Sequence, residues 1–165
     1  MLPPAWVQVV DHTGGLTVLE LDEALVDGAP WAGLGTQLGI SVALHLPDPT
    51  GQPYDDEHAV LLALQASVVA ALGPDGRLVA TITMDGVREL VAYVRSPGVV
   101  QAWQSHPPDG LGSHDVEVTL LEDPTWLGLR EMAGLLGDEL PLRPQGWRTC
   151  GASGRGGPGG RRPGS

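Results

Sequence analysis

The residues that invite a chemical reading are two glutamates, a histidine and an arginine: Glu89, Glu117, His45 and Arg88. Glu89 lies in TITMDGVRELVAY, Thr81 to Tyr93, where two runs of alternating β-formers flank Asp85-Gly86. That pair suits a tight hairpin turn, because both of its central residues need positive φ. Folding about the turn sets Met84 opposite Val87, Ile82 opposite Glu89, Ala80 opposite Val91 and Leu78 opposite Tyr93. Glu89 is then the single carboxylate on an apolar face, and a buried carboxylate is costly unless paired. It reads as a ligand-positioning or general-base group or, with more weight, as half of a structural ion pair with an arginine or the sign of a register one residue off. Arg88 points to the opposite face, beside Thr83. Its planar fork suits an anionic group there, although a solvated strand-end arginine is the commoner case.

His45 sits on the polar side of the alternating run Ile40 to Leu46. Antiparallel pairing with the run Asp115 to Leu121 brings Glu117 beside it, and a carboxylate that orients an imidazole is a familiar acid/base arrangement. A parallel central pair would leave Arg88 near Ser41, roughly 13 Å along the strand from His45, so this dyad lacks a third member. A plain cross-strand pair of opposite charge explains the two residues equally well. Asp55, Asp56, Glu57 and His58 form the densest run of potential metal ligands. Consecutive helical residues diverge by about 100°, however, so the run reads as the acidic start of a helix. There is no HExxH, EF-hand or P-loop pattern and no GxSxG elbow, so no metal and no cofactor is expected. Glu122, Asp123 and Trp126 read as an acidic cap with an inward tryptophan. Their sharper reading, with Arg88, is an interaction surface where an aromatic anchor meets a partner.

The elements that must position these groups follow from periodicity and punctuation. Trp6 to Val10 and Leu16 to Leu21 favour strands about Thr13-Gly14-Gly15, which predicts a leading hairpin. The glycine-rich segment from Asp27 to Gly39 reads as a loop carrying Trp31. Ile40 to Leu46 follows as a half-buried strand. Asp55 is placed to cap a helix whose stretch Ala59 to Leu72 is apolar nearly all round, predicting deep cover, and Gly73-Pro74-Asp75-Gly76 ends it. Ser96-Pro97 opens a short helix with Trp103 inward, Asp115 to Leu121 alternates as a strand, and Asp123-Pro124 starts a helix through Leu136. From Ile40 the order is strand, helix, strand, strand, helix, strand. That predicts an α+β fold, a ferredoxin-like split βαβ antiparallel sheet with helices on one face, plus an N-terminal β-hairpin and a C-terminal helix. The hairpin can extend a sheet edge or shield the open face.

A chain of 165 residues, 42% hydrophobic, fits one α+β domain over 1–140 and a disordered Gly/Arg/Pro-rich tail over 141–165. All 20 acids lie at or before Glu139 and five of the nine arginines follow it; there is no lysine. So acidic a body opposes nucleic acid and anionic membranes, and the single Arg-Gly-Gly element of the tail does not outweigh it. Cys150 stands alone, which excludes an internal disulfide framework, and the start lacks a basic then apolar leader. A cytoplasmic protein is the expectation.

Trp6, the run Tyr54-Asp55-Asp56-Glu57, the hairpin Asp85-Gly86-Val87-Arg88-Glu89-Leu90 with Tyr93 after it, and Glu122-Asp123-Pro124-Thr125-Trp126 together resemble the bacterial domain-of-unknown-function family numbered 695. The resemblance spans roughly Trp6 to Leu136 and implies an α+β domain with no established activity. The chain departs from it at Leu129, where members often carry a tyrosine. The expectation for function is therefore a non-catalytic binding or regulatory module for a protein or small ligand. The alternative is a hydrolase-like acid/base enzyme that uses Glu89, or His45 with Glu117, in a cleft.

Overall fold

The computed structural model describes residues 5–12, 15–22 and 31–135. Six strands form one antiparallel sheet in the order β1-β2-β4-β5-β3-β6. They are β1 (Ala5–His12), β2 (Gly15–Asp22), β3 (Thr36–Ala43), β4 (Gly76–Met84), β5 (Val87–Val94) and β6 (Val116–Glu122). The helices are α1 (Asp55–Leu72), the single turn α2 (Gly98–Gln101) and α3 (Leu127–Leu135). The tail expected over 141–165 lies outside the described residues.

The central hairpin turns as its sequence demands, with φ of 51° at Asp85 and 78° at Gly86. Met84 faces Val87, Ile82 faces Glu89 and Ala80 faces Val91, but the expected pairing of Leu78 with Tyr93 is replaced by Leu78 with Ala92. A bulge between Leu78 and Ala80 causes the slip. It turns both Val79 and Ala80 into the same apolar cluster, which strict alternation forbids. The leading hairpin extends the sheet, β2 pairing with β4 from Val18 opposite Thr83 to Leu21 opposite Ala80.

Two expectations about β3 are corrected. The strand begins at Thr36 inside the glycine-rich segment and ends at Ala43, before His45. Gly39 serves it as a strand residue, because a Cβ there would meet Thr119 Oγ1 at 2.6 Å. The central pair β3 and β5 is antiparallel, so Arg88 lies opposite Val42, and Ser41 opposite Glu89.

Apolar cores cover both faces of the sheet rather than one. On the first face Leu38, Ile40 and Val42 of β3 and Leu90, Ala92 and Val94 of β5 meet Leu61, Leu64, Val68 and Leu72 of α1, with Trp103 closing the cluster. On the second, Leu19, Leu21, Val79, Val91 and Tyr93 meet Leu34, Trp126 and Leu129. Full burial of side chains this size stabilises by roughly 1.5–3 kcal/mol each, while the edge strand β6 stays largely exposed. The apolar stretch of α1 is not deeply covered: Val60 is 46% and Val69 41% exposed, because only one side of the helix meets the sheet. By length and composition alone Asp55–Asp75 passes as a membrane span, with 28% of that window buried. Tyr54 rather than Asp55 takes the N-cap position of α1, without a side-chain hydrogen bond, and Asp55, Asp56 and Glu57 fill the first turn.

Candidate functional site

Three separate stretches of chain deliver side chains to one point beside the N-terminus of α1. Glu57 comes from its first turn, His45 from the loop after β3, and His114 from the residues just before β6. Their ligand atoms all lie within 4.8 Å of one another. The Glu57 carboxylate accepts the His45 backbone N–H at 2.6 Å and stands 3.0 Å from His114 Nε2 and 3.8 Å from His45 Nδ1. The two imidazoles are stacked, 3.8 Å between centroids and 3° between planes. His114 is buried and His45 exposed, so one ring is fixed in the protein and the other lies over it toward solvent.

Ser113 orients both rings. Its carbonyl oxygen is 2.9 Å from His45 Nε2, and its hydroxyl oxygen is 2.8 Å from His114 Nδ1. The hydroxyl has one proton, which it donates to the Gly110 carbonyl at 2.6 Å. His114 Nδ1 must therefore carry the proton of its own contact with Ser113, and His45 Nε2 must donate to the Ser113 carbonyl. Burial pushes the Glu57 carboxyl up, but hydrogen bonds from the His45 and Leu46 backbone and from His114 outweigh it and hold the group below its ordinary value.

This cluster borders a concavity with a volume of about 590 Å³, whose other walls include Leu46, Tyr54, Asp56 and Val60. Polar groups converge at one end, and Leu46, Tyr54 and Val60, with Asp56 beside them, line the rest, a mixed lining of the kind small-molecule sites use.

The residues singled out in the sequence do not converge. Of the candidates for acid/base chemistry or partner contact only His45 lies in the cleft, where it meets Asp56 and Glu57 of the acidic run at the start of α1. Glu117 is exposed and faces Ser41 across β3 and β6, so it is not the partner of His45, because β3 ends before that residue. Glu89 is half-buried on the face away from α1, with Oε1 near Gly39 and no arginine paired to it among the described residues. Arg88 is buried rather than solvated. It lies on the α1 face, donating from Nε to Thr83 Oγ1 at 2.9 Å with one terminal nitrogen 3.3 Å from His58 Nδ1. Burial lowers its pKa, and Glu20 and Glu57 raise it in return.

The Glu122 to Trp126 corner is a structural lock. Trp126 has no exposed surface, stacks on Tyr93 at 4.3 Å and donates from Nε1 to the Leu34 carbonyl at 2.6 Å. Asp123 is also buried. It accepts the Leu127 N–H at 2.7 Å, the Gly128 N–H at 3.0 Å and the Tyr93 hydroxyl at 2.6 Å, which caps α3 and ties it to β5. Glu122, Pro124 and Thr125 stay exposed while Trp126 is buried, so no aromatic side chain of this corner reaches the surface.

The sequence reading missed His114 and set Glu57, named among the potential metal ligands, aside. His114 precedes β6 with no pattern around it, and Glu57 was absorbed by its helix-start role. A signal was present in Ser113-His114 following Pro107 to Gly112, a polar pair at the end of a turn-rich segment and just before a strand. No curated protein and no solved structure matches the chain. Residues 6–131, which carry the cleft, both cores and the Tyr93–Asp123 lock, match the model of a family of unknown function, DUF695, and the chain belongs to that family.

Proposed function

We propose that this protein is a non-catalytic binding module whose ligand site is the cleft over His45, Glu57 and His114. The observation that supports it is the convergence of those three residues from separate elements at the mouth of a concavity of about 590 Å³. Its occupant is a small organic molecule with a hydrogen-bonding head, set against Ser113 and the two imidazoles, and an apolar body along Leu46, Tyr54 and Val60. The acidic body favours a neutral or cationic ligand over nucleic acid or an anionic surface. The strand order β4-β5-β3-β6, with α1 crossing from β3 to β4, supports a ferredoxin-like reading of the core, in which the second helix is reduced to the α2 turn and two 3₁₀ turns.

One observation favours the hydrolytic alternative. Ser113 Oγ, His114 and Glu57 form a hydroxyl, imidazole and carboxylate chain at 2.8 and 3.0 Å. Against it, the serine proton is directed to the Gly110 carbonyl and not to the imidazole, so the hydroxyl is not activated as a nucleophile.

The two readings separate in a titration of the full chain with a set of small aromatic amides and amines, followed by backbone amide shifts, with p-nitrophenyl acetate turnover measured in parallel. The binding reading expects saturable shifts grouped at His45, Tyr54, Glu57 and Ser113, and turnover that Ser113→Ala leaves unchanged. Shifts grouped elsewhere, or turnover lost in Ser113→Ala, contradict it.

A further inference from the structure

The hydrogen bonds around His114 leave one ring nitrogen, Nε2, turned to the Glu57 carboxylate. With the Ser113 proton given to Gly110 and the Nδ1 proton given to Ser113, His114 Nε2 faces the Glu57 carboxylate across 3.0 Å. A contact this short is made either by a ring proton donated to the carboxylate or by a metal ion that both atoms bind from one side. His45 completes the set. Its Nε2–H is held by the Ser113 carbonyl, so its Nδ1 offers a lone pair 3.8 Å from the same carboxylate oxygen.

We infer that His45 Nδ1, His114 Nε2 and Glu57 Oε1 form a site for a divalent transition-metal ion of the zinc class, with its remaining coordination position open to the cleft. The donor set of two imidazoles and one carboxylate suits zinc, and ions of this kind hold nitrogen and oxygen ligands at about 2.0–2.2 Å. The separations of 3.0 and 3.8 Å between donors bracket the roughly 3.4 Å between tetrahedral ligands at such bond lengths, so small shifts bring the three onto one ion. The supporting hydrogen bonds are in place as well, since a metal-bound imidazole commonly donates its other N–H to an oxygen, and here Ser113 receives both. One adjustment is required. Stacked rings 3° from parallel direct their in-plane lone pairs side by side, so the His45 ring must tilt out of the stack to meet the ion. Its side chain is 63% exposed and has room to do so, whereas His114 stays in place.

This site deepens the binding reading and rests on the same cleft, but it can fail alone. The experiment is a calorimetric titration of the full chain, carrying Cys150→Ser to remove the thiol, with zinc chloride, and with cobalt chloride followed by visible absorption. The result expected is one equivalent bound with micromolar or tighter affinity and cobalt bands of low coordination number. His114→Gln and Glu57→Gln should each weaken zinc by at least ~10-fold, His45→Ala should weaken it as well, and His106→Gln should leave it unchanged. Circular dichroism on each variant separates a lost ligand from a lost fold, and His45→Ala, at an exposed loop residue, serves if the buried variants do not fold. Absence of one-equivalent binding, or affinity that survives His45→Ala and His114→Gln, overturns the inference. Amide shifts from organic probes that persist without zinc would leave the binding reading standing, and loss of both would end the two together.

Discussion

Asp123 shows how much one carboxylate can hold together. Burial pushes its carboxyl up, but hydrogen bonds from the Tyr93 hydroxyl and from the Gly128 and Leu127 N–H groups outweigh burial, so the folded group titrates below its ordinary value. The Tyr93 phenol is raised in turn, first by burial and then by its bond to Asp123. A depressed folded pKa means that the contribution of Asp123 to stability is complete above the unfolded value of about 3.9 and is lost as pH falls through the folded one. Asp123→Asn is therefore expected to cost about 1.5–3 kcal/mol at neutral pH, by weakening charge-assisted bonds, and to make the acid limb of a stability-against-pH curve shallower. Urea unfolding at several pH values checks both, and an acid limb that matches the parent protein contradicts the assignment. Gln65 gives the opposite sign. Its side-chain oxygen is buried in α1 with no hydrogen-bond partner among the described residues, so Gln65→Met, which removes the stranded acceptor at similar volume, is expected to stabilise by about 1 kcal/mol. Thermal unfolding reads the change, and a lower midpoint than the parent's would show that the amide is satisfied in solution.

At the scale of elements, the loop between β3 and α1 does more than connect. Asp48 Oδ1 accepts the Thr50 N–H, the Thr50 hydroxyl and the Gln52 N–H, which folds 48–52 into a compact turn. That turn joins the two hairpins: Gln52 donates to the Leu16 and Thr83 carbonyls, the Leu16 N–H reaches the Thr50 carbonyl, and the Gly86 N–H reaches the Gly51 carbonyl. The same loop carries His45 into the cleft, so its conformation and the site are coupled. Gly51 has φ of 84°, and a Cβ on it would meet the Asp85 backbone nitrogen at 2.9 Å, with no flexible atom able to give way. Gly51→Ala is expected to destabilise by roughly 1–3 kcal/mol, measured by chemical denaturation. A neutral effect would mean that the loop does not rest on the hairpin turn.

Across the whole molecule, what was legible in the sequence was local. The turn at Asp85-Gly86 was readable because positive φ restricts residue choice, and the facing pairs nearest to it followed from the turn alone. The slip at Leu78 was not readable, since a bulge is specified by which core Val79 and Ala80 must fill, and that core includes Trp126 from about fifty residues later. The early start of β3 was hidden by glycines that resemble loop punctuation, although Gly39 is needed where Thr119 crowds the strand. Helices on both faces escaped for a related reason, because α3 docks through Trp126 and Leu129 onto a face whose apolar pattern gives no sign of what covers it. The site was the least legible part. His45, Glu57 and His114 are far apart in the chain and share no motif, so only the antiparallel pairing of β6 with β3, and α1 laid across them, bring the three together.

That assembly can be tested without any ligand. Nitrogen-15 spectra of the histidine rings in the full chain and in Glu57→Gln report whether the carboxylate holds both imidazoles. If it does, the resonances of His114 and His45 move together while those of His106, which lies outside the cleft, stay in place. Unchanged His114 ring nitrogens in Glu57→Gln would show that these residues do not meet, and the cleft would lose its claim to be the site.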